Sequence, residues 1–381
     1  LLYILSQIKK VNSSFLSVYF YCITSFSSLF FCNNYKFIDI CNIRLESNMK
    51  KIFIILLITC VCITGCSSSK NAKKEIIKNF DKKNSYKLKG SLSINNNDDV
   101  YNYNVEVGYK KDRYYKVVLI NKANGHKQVI LKNDDGVYVL TPSLNKSFKF
   151  QSDWPYDNSQ VYLLNALGND ISNDTDSSVV KKNDKYFITT KVNYANNSKL
   201  VKQNLEFSKN LELNKVVVYD KDGVEVMTMK FDSIKFTDKF SKDYFSVDSI
   251  INVENSNNEN TESTKETSSL EDTLYPLVLP SGTKLVNEEK VSKDKGERVI
   301  MTYEGEKNFL LVEETADVFS EFTVIPSSGE PFQLLDTLGV MGDNSLSWTR
   351  GNTEYYIVSE DLSKDEMLDV ASSIGTVTSL K

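Results

Sequence analysis

The chain has 381 residues, 25% charged and 41% hydrophobic, with a net charge of −4. Six basic and two acidic residues precede Cys66; the 316 residues from Cys66 onward hold 40 basic and 48 acidic side chains, a net −8, which argues against a nucleic-acid partner. All six cysteines lie at or before Cys66 and His126 is the only histidine, which excludes a disulfide framework after Cys66 and a His/Cys zinc centre, and leaves a nucleophile–histidine pair no histidine but His126.

Residues 1–48 are rich in Phe, Ser, Tyr, Asn and Cys and contain no methionine. They are expected to be bases translated upstream of a true start, the other reading being a membrane segment around Val11 to Phe31. A complete signal begins at Met49: basic Lys50 and Lys51, an apolar run from Ile52 to Ile63, then Ile63-Thr64-Gly65-Cys66 and three serines. This pattern resembles the lipobox of bacterial lipoproteins. The resemblance implies that residues 49–65 are removed and that the Cys66 thiol takes a diacylglycerol, with no other cofactor. Two acyl chains anchor stably where one does not. Residues 66–72 then form a tether.

A first domain is expected over 73–252. "KKEIIKNFDKK" places Ile76, Ile77 and Phe80 at helical spacing. From Tyr86 the pattern alternates, with a turn near Lys110 to Asp112 and a hairpin signal at Asp135-Gly136; "NKSFKF" adds a strand. Tyr162, Leu163, Ala166 and Leu167 fit a helical face, and Gly168 suits a helix end. Strands resume through "KYFITTKVNY", "KLVKQNLEFS" and the segment turning at Asp222-Gly223. The expected solution is α+β, one highly curved antiparallel sheet with helices on its concave face. Residues 253–273 read as a disordered linker. A small α+β domain follows over 274–381, with short strands at "RVIMTYEG", "NFLLVEET", "FTVIP", "SLSWTR" and "EYYIVSE". Its helix starts at a capping box, Ser363 with Glu366, and buries Met367, Leu368, Ala371 and Ile374.

Catalytic chemistry finds little support. His126 sits beside a turn as a surface residue, and neither GxxxxGK[ST] nor GxGxxG occurs. The pairs Glu313-Glu314 and Glu288-Glu289 read as solvated charge. The stretch that stands out is 137–167, where Phe148, Phe150, Trp154, Pro155 and Leu163 are candidates for an apolar groove or a partner epitope, set against ordinary core packing.

"TPSLNKSFKFQSDWP" followed by "YLLNAL" resembles the GerS/YdcC-type sporulation and germination lipoproteins of the outer-membrane lipoprotein carrier (LolA-like) superfamily, over about residues 66–250. The tail is similar to a domain of unknown function appended to such proteins. The resemblance implies an incomplete β-barrel wrapped over helices. It implies a non-enzymatic lipoprotein on the outer face of the cytoplasmic membrane, facing the space between mother-cell and forespore membranes in a sporulating cell. Its implied partner is a cell-wall amidase, an enzyme that modifies cortex peptidoglycan, which the protein would activate or position. The alternatives are a lipid or lipoprotein carrier and an RseB-like envelope-sensing regulator.

Overall fold

The computed structural model describes residues 71–258 and 270–374, apart from 81–84, 97–98, 112–113, 152–153, 155–157, 195–196, 271–272, 335–336 and the side chains of 253–258. Cys66, the lipobox residues Ile63, Thr64 and Gly65, the 48 residues ahead of the signal, Pro155 and most of the 253–273 linker lie outside the described residues.

Helix α1 (residues 71–80) leads into β1 (Ser85–Asn96), β2 (Asp99–Lys110), β3 (Tyr114–Asn121), β4 (Lys127–Asn133), β5 (Gly136–Thr141) and β6 (Lys146–Phe150). Helix α2 (Leu164–Asn173) follows, then β7 (Ser178–Lys182), β8 (Lys185–Lys191), β9 (Leu200–Phe207), β10 (Leu213–Asp220), β11 (Glu225–Phe236) and α3 (Val247–Asn258). Period-2 patterning drives the strands: Leu88, Leu92 and Ile94 turn inward while Lys87, Lys89, Ser91 and Ser93 turn outward. The expected hairpin forms between β4 and β5, one residue earlier than read. Asn133 pairs with Gly136, so Asp134 and Asp135 make the turn.

These strands form one antiparallel sheet in the order β6-β5-β4-β3-β2-β1-β11-β10-β9-β8-β7, whose two ends do not pair with each other. The barrel is incomplete, as the resemblance implies. Part of its curvature is written at Gly90, where the register between β1 and β11 slips. A Cβ there would lie 2.2 Å from the Lys230 carbonyl oxygen, so only glycine allows this approach.

The concave face closes over both helices. Ile76, Leu164, Leu167 and Ile171 share one core with Val105, Phe207 and Val216, and Ile77 and Phe80 pack against it. Helix α2 begins at Leu164, later than the sequence pattern suggests. Tyr162 and Leu163 precede it, and the Leu164 N–H donates to the buried Tyr86 hydroxyl at 3.1 Å, a tertiary substitute for a side-chain N-cap. Gly168 lies inside this helix rather than at its end. A Cβ there would meet Phe80 at 3.2 Å, so the glycine serves the close crossing of α1 over α2. The convex face has its own cover. Phe245, Val247 and Ile250 pack on Val129, Leu131, Tyr138 and Leu140.

The second sheet runs β12 (Lys284–Lys293), β13 (Gly296–Glu304), β14 (Phe309–Thr315), β19 (Thr353–Val358), β18 (Ser345–Arg350), β17 (Thr337–Met341), β16 (Glu330–Leu334). Helix α4 (Lys364–Ser372) packs on it. The Ser363–Glu366 capping box forms as expected, and Met367, Leu368, Ala371 and Ile374 are buried with Met301, Leu311 and Trp348. Glu313 and Glu314 depart from the solvated reading. Both are buried: Glu313 accepts the Leu274 N–H at 3.1 Å through both oxygens, and Glu314 takes Arg298 and Lys293. Burial pushes the Glu313 carboxyl up to about 7. Glu288 and Glu289 are exposed, as read.

The strand at "FTVIP", β15 (Thr323–Ser327), joins the first sheet instead of the second. It pairs parallel to β6, from Thr323 opposite Lys146 to Ser327 opposite Phe150. Its Pro326 is tolerated because β15 is an edge strand. The two sheets are therefore joined by a crossing strand and by a buried polar cluster. Lys146 donates to Glu354 at 2.6 Å, and the Tyr356 hydroxyl donates to the other Glu354 oxygen. The Gln128 carbonyl oxygen accepts from the Leu338 N–H at 2.6 Å and the Thr337 hydroxyl at 3.1 Å.

Candidate functional site

Where the rim of the first sheet meets β16 and α4 lies a cleft of about 700 Å³. Its apolar wall comes from both sheets: Ile94, Leu200 and Met227 on one side, Phe332, Leu334 and Leu368 on the other. Polar groups interrupt it: amides such as Asn95, Asn158, Gln160 and Gln333, and the charged Lys199, Asp220, Glu225, Glu330 and Asp369. Val100 and Val224, 55% and 58% exposed, stand at its mouth. Ion pairs and hydrogen bonds fix the second sheet's side: Lys199 bonds Asp369, Ser198 bonds Asp365, and Asn96 donates to the Ser372 carbonyl at 3.2 Å.

Ser159 and Asn193 beside the cleft are held by a buried carboxylate. Asp170 of α2 accepts from the Ser159 hydroxyl and from the Gln203 amide, both at 2.8 Å. The Asn193 N–H donates to the Ser159 hydroxyl at 2.7 Å, and the Ser159 N–H donates to the Asn193 carbonyl. Burial pushes the Asp170 carboxyl up to about 7, opposed in part by these hydrogen bonds. The folded state therefore holds its proton at pH values where the unfolded chain has lost it. Stability is expected to fall as pH rises through the window from about 4 to 7, by up to about 1.4 kcal/mol per pH unit. Asp170→Asn, which resembles the protonated acid once the Gln203 amide turns over, is expected to flatten that dependence. Urea unfolding of both proteins at pH 5 and pH 8 checks it; an unchanged slope in the variant would contradict it.

The five groove candidates divide. Phe150 and Leu163 are fully buried in the core under the sheet and present no surface, a correction to the groove reading. Both belong to the core shared by the sheet and its helices, which they fill. Trp154 is also buried, edge-on to Tyr115 at 6.1 Å, but it reaches the cleft wall. Phe148 is half-buried at the joint between the sheets, beneath the Lys146 ammonium at 4.7 Å. Pro155 is outside the described residues. Sequence reasoning missed Phe332, Leu334, Val100 and Val224. The first two lie in β16, whose buried strand lacks alternation; the valines belong to a rim that exists only once the second sheet docks.

Among the described residues, no three His, Cys, Asp or Glu side chains are placed to hold a metal ion, and no helix is long and apolar enough to cross a membrane. An unclosed antiparallel sheet wrapped over two helices, with a second sheet docked on its rim, defines the class: a two-part α+β half-barrel protein.

The family model described as sporulation protein YdcC-like matches residues 47–245. Sporulation protein YdcC of Bacillus subtilis (strain 168) is 37% identical over 332 residues, covering 86% of this chain and 97% of that one. The chain belongs to the YdcC-like sporulation protein family. Solved structures superpose loosely. The CwlD amidase from Clostridioides difficile in complex with the GerS lipoprotein matches at 20% identity and a TM-score of 0.27, covering 43% of this chain and 95% of that one. The Pseudomonas aeruginosa MucA/MucB complex matches at 13% identity and a TM-score of 0.29, covering 80% and 98%.

Proposed function

We propose that this protein is a diacylated, non-enzymatic lipoprotein on the outer face of the cytoplasmic membrane. In sporulating cells it would bind an envelope protein through the cleft. The partner class we infer is an amidase that modifies cortex peptidoglycan, positioned or activated by the contact. The reading rests on family membership, on the lipobox pattern at Cys66 and on the resemblance of residues 141–167. The observation that carries it is the contrast between two spaces. The concavity under the first sheet is filled by Trp154, Leu163, Leu164, Leu167 and Ile171, whereas the open volume lies between the sheets and is walled by both. A carrier of acyl chains needs continuous apolar room under the sheet; a protein-binding scaffold needs a rigid cleft with amides to meet a partner's polar groups.

A second reading, a lipid or lipoprotein binder, is favoured by the apolar part of the cleft wall at Ile94, Leu200, Met227 and Phe332. Capture separates the two. The full-length protein is purified from sporulating-cell envelopes in mild detergent, and co-eluting proteins and extracted lipids are identified by mass spectrometry. A stoichiometric amidase without lipid is expected. Acyl lipid or lipoprotein with no other protein would replace the scaffold reading by the carrier.

A further inference from the structure

The outer face of strands β7 to β11 carries lysines where a sheet ordinarily avoids them. Antiparallel register sets Lys182 opposite Lys185, Lys191 opposite Lys202, and Lys215 opposite Lys230. The alternate residues, among them Ile188, Thr190, Gln203, Leu205, Val216 and Val218, are buried in the core, so the lysines project outward. Like charges directly opposite each other destabilise a sheet. Two of the six are compensated, Lys185 by Glu206 at 2.7 Å and Lys191 by Asp176 at 3.0 Å. Among the described residues, Lys182, Lys202, Lys215 and Lys230 make no ion pair. Between them stand Val180, 56% exposed, and the half-buried Phe187 and Tyr219. Glu206, which also stands opposite Lys215, Glu225 beside Tyr219 and the exposed Asp232 share this face; six lysines against these three carboxylates leave a local surplus of positive charge on a chain whose net charge from Cys66 onward is −8.

The entry of the chain lies at the same edge. Lys73 of α1 donates to the Asp174 carbonyl at 3.3 Å and to the Ser177 hydroxyl. Ser177 immediately precedes β7, and Asp176 of that turn holds Lys191. Cys66 is five residues before Asn71, where the helix begins. Five residues of chain span at most about 18 Å between their Cα atoms.

We propose that this lysine face rests on an anionic phospholipid surface, with the exposed Val180 and the rings of Phe187 and Tyr219 at headgroup level. The proposal rests on the reading of Cys66 as a lipid anchor. The anchor supplies attachment; the face supplies orientation, turning the opposite surfaces of the molecule outward. A lysine near such a surface contributes about fivefold in binding. Repulsion within the three lysine pairs would be relieved by the lipid phosphates, which accounts for a pattern that costs stability in the free protein.

The test uses the full-length chain in vesicles of phosphatidylcholine alone and of phosphatidylcholine with phosphatidylglycerol. Flotation reports attachment. Amine-reactive labelling, read residue by residue by mass spectrometry, reports orientation. Lys182, Lys202, Lys215 and Lys230 are expected to label at least about fivefold more slowly on the anionic vesicles, with high salt restoring the rate. Lys284 and Lys290 of β12 are expected to label equally on both. In the Lys215→Gln/Lys230→Gln variant, Lys182 and Lys202 should return toward the uncharged-vesicle rate without any loss of thermal stability. Flotation on both vesicles with equal labelling would overturn the orientation while leaving the anchor standing. Failure to float on phosphatidylcholine would remove the anchor on which the proposal depends. Protection that appears only when an envelope protein extract is added would assign the face to an acidic protein and overturn the lipid assignment.

Discussion

Lys146→Met is expected to lower the stability of the protein by about 3–5 kcal/mol. Lys146 and Glu354 are each about 6% exposed and meet at 2.6 Å across the joint between the two sheets. Removing the ammonium leaves a buried carboxylate whose one remaining donor among the described residues is the Tyr356 hydroxyl. The double variant Lys146→Met/Glu354→Leu removes both charges and is expected to recover most of the loss. The two measurements, urea unfolding of single and double variants, form a cycle whose coupling energy reports on the joint alone. A single variant as stable as the parent would mean that the second sheet is not docked here in solution.

Trp154→Ala is expected to cost a similar amount, about 3–5 kcal/mol, from lost burial and the cavity left behind. The result decides between two roles that the sequence left open. A partner anchor is exposed before binding, and its truncation weakens the complex without weakening the free protein. A core tryptophan does the reverse. Trp154 is buried against Tyr115 and the α2 side of the core, so thermal unfolding of the free protein should show the loss. An unchanged unfolding midpoint would return Trp154 to the list of partner contacts.

Much of the first sheet was legible because its physics is local. Alternation in β1 to β3, the turn signal between β4 and β5, the pattern Ile76, Ile77, Phe80 and the Ser363–Glu366 box are each decided within a dozen residues. Strands with one kind of environment on both faces were not. β12 is exposed nearly throughout and β17 is buried throughout, so neither alternates. Nor could residue order show that β15 crosses to pair with β6, because that choice is made by an open sheet edge 177 residues earlier. Glu313 and Glu314 were misread for the same reason: a carboxylate in a strand looks solvated until the Leu274 N–H, Arg298 and Lys293 are brought to it. The stretch 148–163 reads as a candidate groove or epitope. Its members mostly build the core and the joint, while the cleft's exposed rim belongs to Val100 and Val224, two isolated valines that no local pattern marks.

We propose that a sporulation-envelope protein binds in the cleft between the sheets. The most direct test is capture from sporulating-cell envelopes by the full-length protein and by a Val100→Asp/Val224→Asp variant. Both valines are exposed at the cleft mouth, so the fold should be unaffected and the unfolding midpoint unchanged. An amidase is expected to be retained by the parent and reduced at least about tenfold in the variant, the effect of losing one hot-spot contact. Equal capture by both proteins would place the partner elsewhere on the molecule and contradict the claim.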